Sequence, residues 1–426
     1  MDQGNTGFIL ISAALVLLMT PGLAFFYGGM VKAKSVVSMM MLSFGSMGLV
    51  GVLWVIYGYA ISFSNAGVGN FVGIDGWFGI DTGSLFLDAQ VTNALGDPAA
   101  MTSGHPDLAF VAFQAVFAII TVALISGAIA DRAKFGAWMV FAGVWATLVY
   151  FPVANWVFNF TLTDGVVTDG GWIVYNLGVH DFAGGTAVHI NAGAAGLALA
   201  IVLGKRFGFS KGITQPHNVP LTLLGAGLLW FGWFGFNAGS ELAADGIASI
   251  AFLNTLSAPA AAMLGWLIIE KIKHGKATSI GAASGAVAGL VAITPACDIL
   301  NPGWGLLLGL IAGALCALAV DLKFALGFDD SLDVVGIHLV GGIFGTLFIG
   351  VFGRGIGVLD SGSWNQLGAQ AIGAGAVLLY SFIGALIIGF AVEKTMGFRV
   401  KAEDEIAGID TVVHGEEAYA FGGAHV

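Results

Sequence analysis

A chain of 426 residues that is 57% hydrophobic, 10% charged and carries 66 glycines lies outside the composition of soluble globular domains, where about a quarter of residues are charged. The formal net charge of −11 gives no basis for a nucleic-acid partner, and two cysteines, Cys297 and Cys316, are too few for a disulfide framework. The composition is that of a membrane protein.

Runs of about twenty apolar residues recur along the chain, each long enough to cross about 30 Å of hydrocarbon at about 1.5 Å per residue. The spans predicted in chain order are 7–31, 37–63, 107–130, 136–160, 181–204, 219–239, 247–269, 278–296, 303–320, 333–353 and 370–392. The expected fold is therefore all-α, a polytopic membrane protein of eleven transmembrane helices. Asp2 precedes the first span and no basic region accompanies it, so no cleavable signal is expected.

Fourteen of the fifteen Lys and Arg residues, all but Arg354, fall on one side of this arrangement. That bias predicts an outer N-terminus and a cytoplasmic C-terminus. The acids divide evenly, leaving a formal charge of about −12 outside and about +1 inside, and such an outer surface concentrates cations near a mouth. Retention of positive residues in the cytoplasm explains the missing Lys and Arg equally well, but not why the acids stay outside.

The odd span count and its polar insertions predict two halves, about 1–206 and 217–354, and an extra helix at about 370–397. Residues 1–397 then form a transmembrane domain and 398–426 a cytoplasmic tail. His189 lies eight residues after Asp181 in a span that enters from outside; His338 lies five after Asp333 in a span that enters from inside. Gly184 and Gly185 accompany the first, Gly341 and Gly342 the second. Similar features at similar depth from opposite faces predict an inverted repeat with its axis in the membrane plane. "PGLAFFYGGM" in the first span and "WFGWFGFNAGS" in the sixth echo one another, and the acidic loop 64–106 is expected to fold over the outer mouth.

An ionisable residue inside a membrane span is costly unless paired or facing a polar cavity, and is a functional candidate by default. His189 and His338 are the only histidines well inside the predicted spans. One alone would read as a structural hydrogen bond, whereas two at matched positions favour function. Neutral imidazoles in contact supply a donor and an acceptor without fixed charge, which suits a small neutral polar species or a proton relay. A metal site is the rival, and it wants a third ligand. Asp181 either caps its helix or lends negative potential to an entrance.

Phe113 and Phe117 fall one turn apart, and Trp230, Trp233, Phe234 and Phe236 cluster in the sixth span. Such rings pack a bundle, attract a cation at a vestibule, or stack across a pore against water and hydrated ions. No nucleophile and base stand at helical spacing in the spans, so neither an enzyme nor a cofactor is expected.

Residues 181–206, "DFAGGTAVHINAGAAGLALAIVLGKR", resemble the signature of the ammonium transporters, the Amt branch of the Amt/Mep/Rh family. The resemblance extends through "FFYGGMV", "FQAVFAIITVALISGAIADR", "WFGWFGFNAGS", "ITPA", "DVVGIHLVGG" and the tail "GIDTVVHGEEAY". It implies an inverted five-plus-five arrangement with an extra helix, a homotrimer in the cell membrane, and one conduction path per subunit.

By the same resemblance His189 and His338 are the paired pore histidines, and Phe117 and Phe236 the stacked outer gate. Ser240, Phe113, Phe158, Asp181 and Thr294 surround the outer recruitment vestibule. Phe158 stands where many members have Trp, leaving Trp156 or Trp172 as substitutes; Asn155 replaces His, and Leu339 follows the second histidine where Gly is usual. Gly408, Asp410, His414, Gly415, Glu416 and Tyr419 match a regulatory segment, which implies docking between subunits and control by a PII-type signalling protein. The implied mechanism is recruitment of ammonium, deprotonation at the Phe gate and passage along the histidines. A passive Rh-like gas channel and an ammonium sensor acting through its tail are the alternatives.

Overall fold

The computed structural model describes residues 2–66, 70–95, 107–163, 166–209 and 215–419. Parts of the 64–106 loop and the end of the tail fall outside the described residues, as do His105, Lys211 and His425.

Eleven helices among the described residues are long and apolar enough to cross a membrane. They are α1 (Gln3–Met30), α2 (Val36–Ser62), α3 (Asp107–Ile129), α4 (Phe135–Phe158), α5 (Gly185–Leu203), α6 (Val219–Glu241), α7 (Gly246–His274), α8 (Ser279–Ala296), α9 (Pro302–Leu326), α10 (Val335–Phe352) and α11 (Asn365–Met396). Several starts follow from side-chain caps on orphan backbone N–H groups: Asp2 accepts from the Asn5 amide, Asn218 from Leu221, Asp245 from Ile247 and Ala248, and Thr278 from Gly281. An odd number of crossings puts the N-terminus and the tail on opposite faces, called here the N face and the tail face.

Glycines set how closely the helices approach. A Cβ at Gly225 of α6 would strike the backbone of Phe26 in α1, and one at Gly309 or Gly313 of α9 would strike the carbonyls of Ala258 or Ala262 in α7. Without those side chains the backbones meet, which favours a tight bundle over a wide pore. Two antiparallel hairpins lie on the N face: β1 (Phe71–Ile74) with β2 (Phe78–Asp81), and β3 (Phe160–Thr163) with β4 (Val166–Gly170). They are joined through Trp77, which stacks on Trp172 at 4.6 Å and accepts the Trp156 indole N–H on its carbonyl at 2.5 Å.

The helices that carry the two histidines begin alike. Asp181 caps α5 and Asp330 caps α10, so each cap precedes its histidine by eight residues. The spacing of Asp181 from His189 is thus matched by Asp330, not by Asp333; Asp333 turns aside with φ 64° and pairs with Lys323 at 2.6 Å. One residue beyond each cap a backbone N–H crosses to another helix's end, Phe182 to the Pro295 carbonyl at 3.2 Å and Ser331 to the Ala128 carbonyl at 3.2 Å. The end of α8 therefore meets the start of α5 on the N face, and the end of α3 meets the start of α10 on the tail face.

Candidate functional site: a histidine-lined bore

The Asp181 carboxylate accepts from the amides of Gly184 (2.9 Å), Gly185 (2.6 Å), Thr186 (2.7 Å) and Ala187 (3.3 Å), and from the Thr186 hydroxyl. Four orphan donors at a helix N-terminus are thereby satisfied by one negative charge. Gly184 reaches φ 115°, a conformation that favours glycine, and so turns the chain into the helix. Beyond each cap the first turn is π-wound, over Gly185–Ile190 and over Val335–Leu339. Such wider turns concentrate at functional positions, and each here carries a histidine.

His189 and His338 meet inside the bundle, Nδ1 to Nδ1 at 3.3 Å, with 0% and 4% of their surfaces exposed. One nitrogen of the pair donates and the other accepts, so a single proton lies between the two rings. The Nε2 of His189 is buried without a hydrogen-bond partner among the described residues, which suits it to a small polar guest. Met19, Leu23, Phe26, Ile120, Leu124 and Val287 surround the pair, and the cavity is about 10 Å³, space for about one water-sized molecule.

Trp233 completes this section of the bore. Its ring stacks on His189 at 5.4 Å, and its indole N–H donates to the Thr294 hydroxyl at 2.8 Å, which in turn donates to the Leu290 carbonyl. Thr294 is fully buried and reaches the bore through this tryptophan. Trp233 was visible in the sequence only as one of a cluster of aromatics; the sign of its role was its position three residues before Phe236.

Above the histidines, toward the N face, Phe236 lies 6.0 Å from His189 and 4.3 Å from Phe117 between ring centroids. Phe113 packs on Phe117 at 4.9 Å and Phe158 presents itself nearly edge-on at 6.3 Å. The four phenylalanines thus form one group, with Ser240 beside it donating to the Phe236 carbonyl. Trp156 and Trp172 join Trp77 in the hairpin cluster, with Tyr380 against Trp156. Asn155 donates to the carbonyls of Ser62 and Ser64, tying α4 to the end of α2.

On the tail face a wider cavity of about 320 Å³ is lined by Lys32, Asp131, Arg206, Lys323 and Asp333 among others. Lys323 falls in the last turn of α9, which runs past the predicted end at 320; it is buried and donates to Asp333 and to the Asp330 carbonyl. Arg206 makes a two-pronged bond to Asp329 and reaches Asp131 at 3.2 Å. Buried Arg132, against the guanidiniums of Arg206 and Arg399 and the carboxylates Asp329 and Asp131, is lowered to about 10, chiefly by desolvation, and so stays charged at neutral pH.

The tail packs across the same face. Asp410 accepts from the amides of Val37 and Ser38 at the start of α2, and Gly408 (φ 116°) lies against Lys34. Tyr419 bonds His217 at 2.8 Å, and the His414 ring meets Phe135 edge-on at 5.4 Å. Gly415 (φ 69°) ends the short turn Asp410–His414, and Glu416 is exposed.

Fold and site together define a multi-pass helical membrane protein with two histidines in contact inside the bundle and a group of phenylalanine rings beside them toward the N face. Residues 7–419 match the model of the Ammonium Transporter Family. An ammonium transporter of Mycobacterium tuberculosis is 55% identical over 440 residues, covering 99% of this chain and 91% of that protein. One of Bacillus subtilis is 43% identical over 426 residues, covering 98% and 99%. Among solved structures, a "Sensor Amt Protein" superimposes with TM-score 0.85 at 28% identity, covering 96% of this chain and 98% of the other, and Saccharomyces cerevisiae Mep2 with TM-score 0.82 at 33%, covering 94% and 91%. The chain belongs to the ammonium transporter family.

Proposed function

We propose that this protein takes up ammonium across the cell membrane, gathering the cation at the Phe113–Phe158–Ser240 vestibule, releasing its proton at the Phe117–Phe236 gate, and passing ammonia along His189 and His338. The N face is then outside and the tail face cytoplasmic, as the charge distribution suggests. The observation that carries the reading is the pair of buried imidazoles in contact, lining a cavity with room for about one water-sized molecule.

Stripping ammonium of its water in an apolar bore is costly, whereas neutral ammonia enters with its few hydrogen bonds replaced by imidazole nitrogens. Two phenylalanine rings 4.3 Å apart exclude hydrated potassium or sodium. The Asp181 charge is spent on backbone amides, so its part in recruitment is to hold the α5 N-terminus and to add negative potential behind the vestibule. We read the chain as a transporter rather than an enzyme, with no cofactor. The homotrimer and the PII-type partner rest on the family resemblance, and the halves 1–206 and 217–354 on the matched helix starts.

The test is current from purified protein in a supported bilayer on adding ammonium, set against potassium and against His189→Ala. Ammonium-specific current lost in the variant supports the reading; equal potassium current rejects it. A sensor role is a second reading, favoured by the similarity to the structure of a "Sensor Amt Protein" and by a tail bonded to the start of α2 in one half and to His217, before α6, in the other. Binding with negligible current and a tail that responds to ammonium would decide for it.

A further inference from the structure

We propose that His180 is a positioning residue for this transport path: paired with Asp298, it clamps the Asp181 turn to the end of α8 in a manner that depends on its own proton. The inference rests on the reading of the N face as the outer mouth.

The segment 180–182 is held at three points. The His180 amide donates to Gln370 of α11 at 2.8 Å and its carbonyl accepts from the same amide side chain at 2.8 Å. The Phe182 amide donates to the Pro295 carbonyl. His180 Nε2 meets Asp298 Oδ1 at 3.0 Å, the side chains being 27% and 12% exposed. Only the last of these contacts can change with pH. Asp181, whose carboxylate orders the first turn of the His189 helix, lies between the contacts of its two neighbours.

The tail face provides the comparison. His180 immediately precedes the cap Asp181, as Asp329 precedes the cap Asp330. Asp298 follows the end of α8 as Asp131 follows the end of α3. On the tail face the two acids, Asp329 and Asp131, are bridged by Arg206, whose guanidinium is charged at every working pH. On the N face the bridge is an imidazole. One junction is fixed and its counterpart titrates.

The groups around His180 favour its charged form. Burial opposes the proton, but the Asp298 carboxylate, its hydrogen bond and the Asp181 charge together raise the pKa above the ordinary value. Glu241, which ends α6, lies within electrostatic reach of Asp298 and of Asp245, the cap of α7. The neighbouring Cys297 thiol is pushed well up by burial and by Asp298, so it stays neutral. Gln370 is neutral, and Arg354, whose amide bonds the Ile299 carbonyl, is exposed. With a raised folded-state pKa, the clamp is fully present below the unfolded value of about 6.5 and is lost as pH rises through the raised one.

Full-length protein in liposomes, wild type and His180→Gln, is assayed for ammonium uptake from about pH 5.5 to about pH 8.5 outside. Glutamine keeps a hydrogen-bond donor toward Asp298 but no charge. The KM of the variant is expected about fivefold above wild type at the acid end and to converge with it at the alkaline end, where His180 is neutral too. Hydrogen exchange at the amides of Phe182 to Ala187 is measured alongside, and the excess protection of wild type should fall over the same range. A variant-to-wild-type ratio constant across pH in both measurements overturns the proposal. Asp298→Asn must give the same convergence, which keeps the test alive if His180→Gln folds poorly. Wild type with no ammonium uptake would sink the transport reading alone, because the exchange measurement still reads the clamp.

Discussion

His189 and Trp233 lie face to face, their ring centroids 5.4 Å apart and their planes 26° from parallel, while the far edge of Trp233 is anchored on the Thr294 hydroxyl. The tryptophan therefore fixes the azimuth of the imidazole and with it the 3.3 Å contact to His338. A flat aromatic face also leaves His189 no room to turn away from the bore.

Trp233→Leu is expected to lower ammonium flux about tenfold or more, by releasing the imidazole and widening the bore. The same variant should admit water. Osmotic water permeability of liposomes carrying the variant, measured with ammonium flux, checks both; a tight bore with normal flux would contradict the role given to this ring.

Asp181 and Asp330 satisfy backbone donors that would otherwise be buried and unpaired at the mouths of α5 and α10. Replacing either by Ala is expected to cost about 1–3 kcal/mol, the penalty of leaving such groups unsatisfied. Thermal unfolding in detergent is the measurement. Because Asp330 is 1% exposed and Asp181 half-buried, water should rescue the Asp181→Ala helix start better, so the Asp330→Ala variant should melt lower.

Gly193 of α5 faces Leu339 of α10 so closely that a Cβ on it would lie 2.5 Å from the Leu339 amide nitrogen. Leu339, one residue past His338, occupies the room that the glycine leaves. Gly193→Ala should therefore push the two histidine helices apart, destabilising by about 1–3 kcal/mol and lowering flux. Gly227→Ala is the control. Nothing lies near a Cβ there, it faces outward from α6, and alanine should stabilise the helix by up to about 1 kcal/mol. Equal melting temperatures for the two variants would refute the packing argument.

How much of this was legible in the sequence depends on what each feature is made of. The eleven spans were readable because hydrocarbon thickness sets a minimum apolar length, and their bounds differ from the helices by a few residues at the ends, as at α9, which runs past 320 to Leu326 and there buries Lys323 against Asp333. Matched histidines stood out because no other histidine and no central Lys or Arg falls well inside the predicted spans. The capping partner of the second histidine did not: Asp330 and Asp333 are both acids near one helix start, and only backbone geometry, a left-handed turn at Asp333, separates them. The π-wound turns and the Trp233–Thr294 bond were invisible for the same reason. They arise from contacts between helices far apart in the chain, which no local pattern records.

Phe158 meets Phe117 nearly at right angles, 6.3 Å between ring centroids, at the edge of the four-ring group that we propose as the vestibule. An indole at this place would offer a stronger quadrupole and an N–H donor. Phe158→Trp is expected to lower the KM for ammonium about threefold, corresponding to about 0.5–1 kcal/mol of cation–π attraction at a partly hydrated site. Maximal flux should change little, since the bore itself is untouched. Uptake against ammonium concentration gives both numbers, and an unchanged KM would place recruitment elsewhere.

The tail is coupled to the bundle through Asp410, which lies among the amides that open α2, 3.0 Å from that of Val37 and 2.7 Å from that of Ser38. It acts as an N-cap supplied from 372 residues away. Asp410→Ala should cost about 0.5–2 kcal/mol, the range for a lost cap, and the effect should appear at both ends of the bond. Amides at the start of α2 exchange faster, and residues 402–419 become more open to protease. If the tail controls conduction, flux through Asp410→Ala should shift in the same direction as flux through a chain ending at Lys401. A loosened tail with flux unchanged in both would leave the segment a structural strap, because a switch that can be released without consequence is not controlling the path.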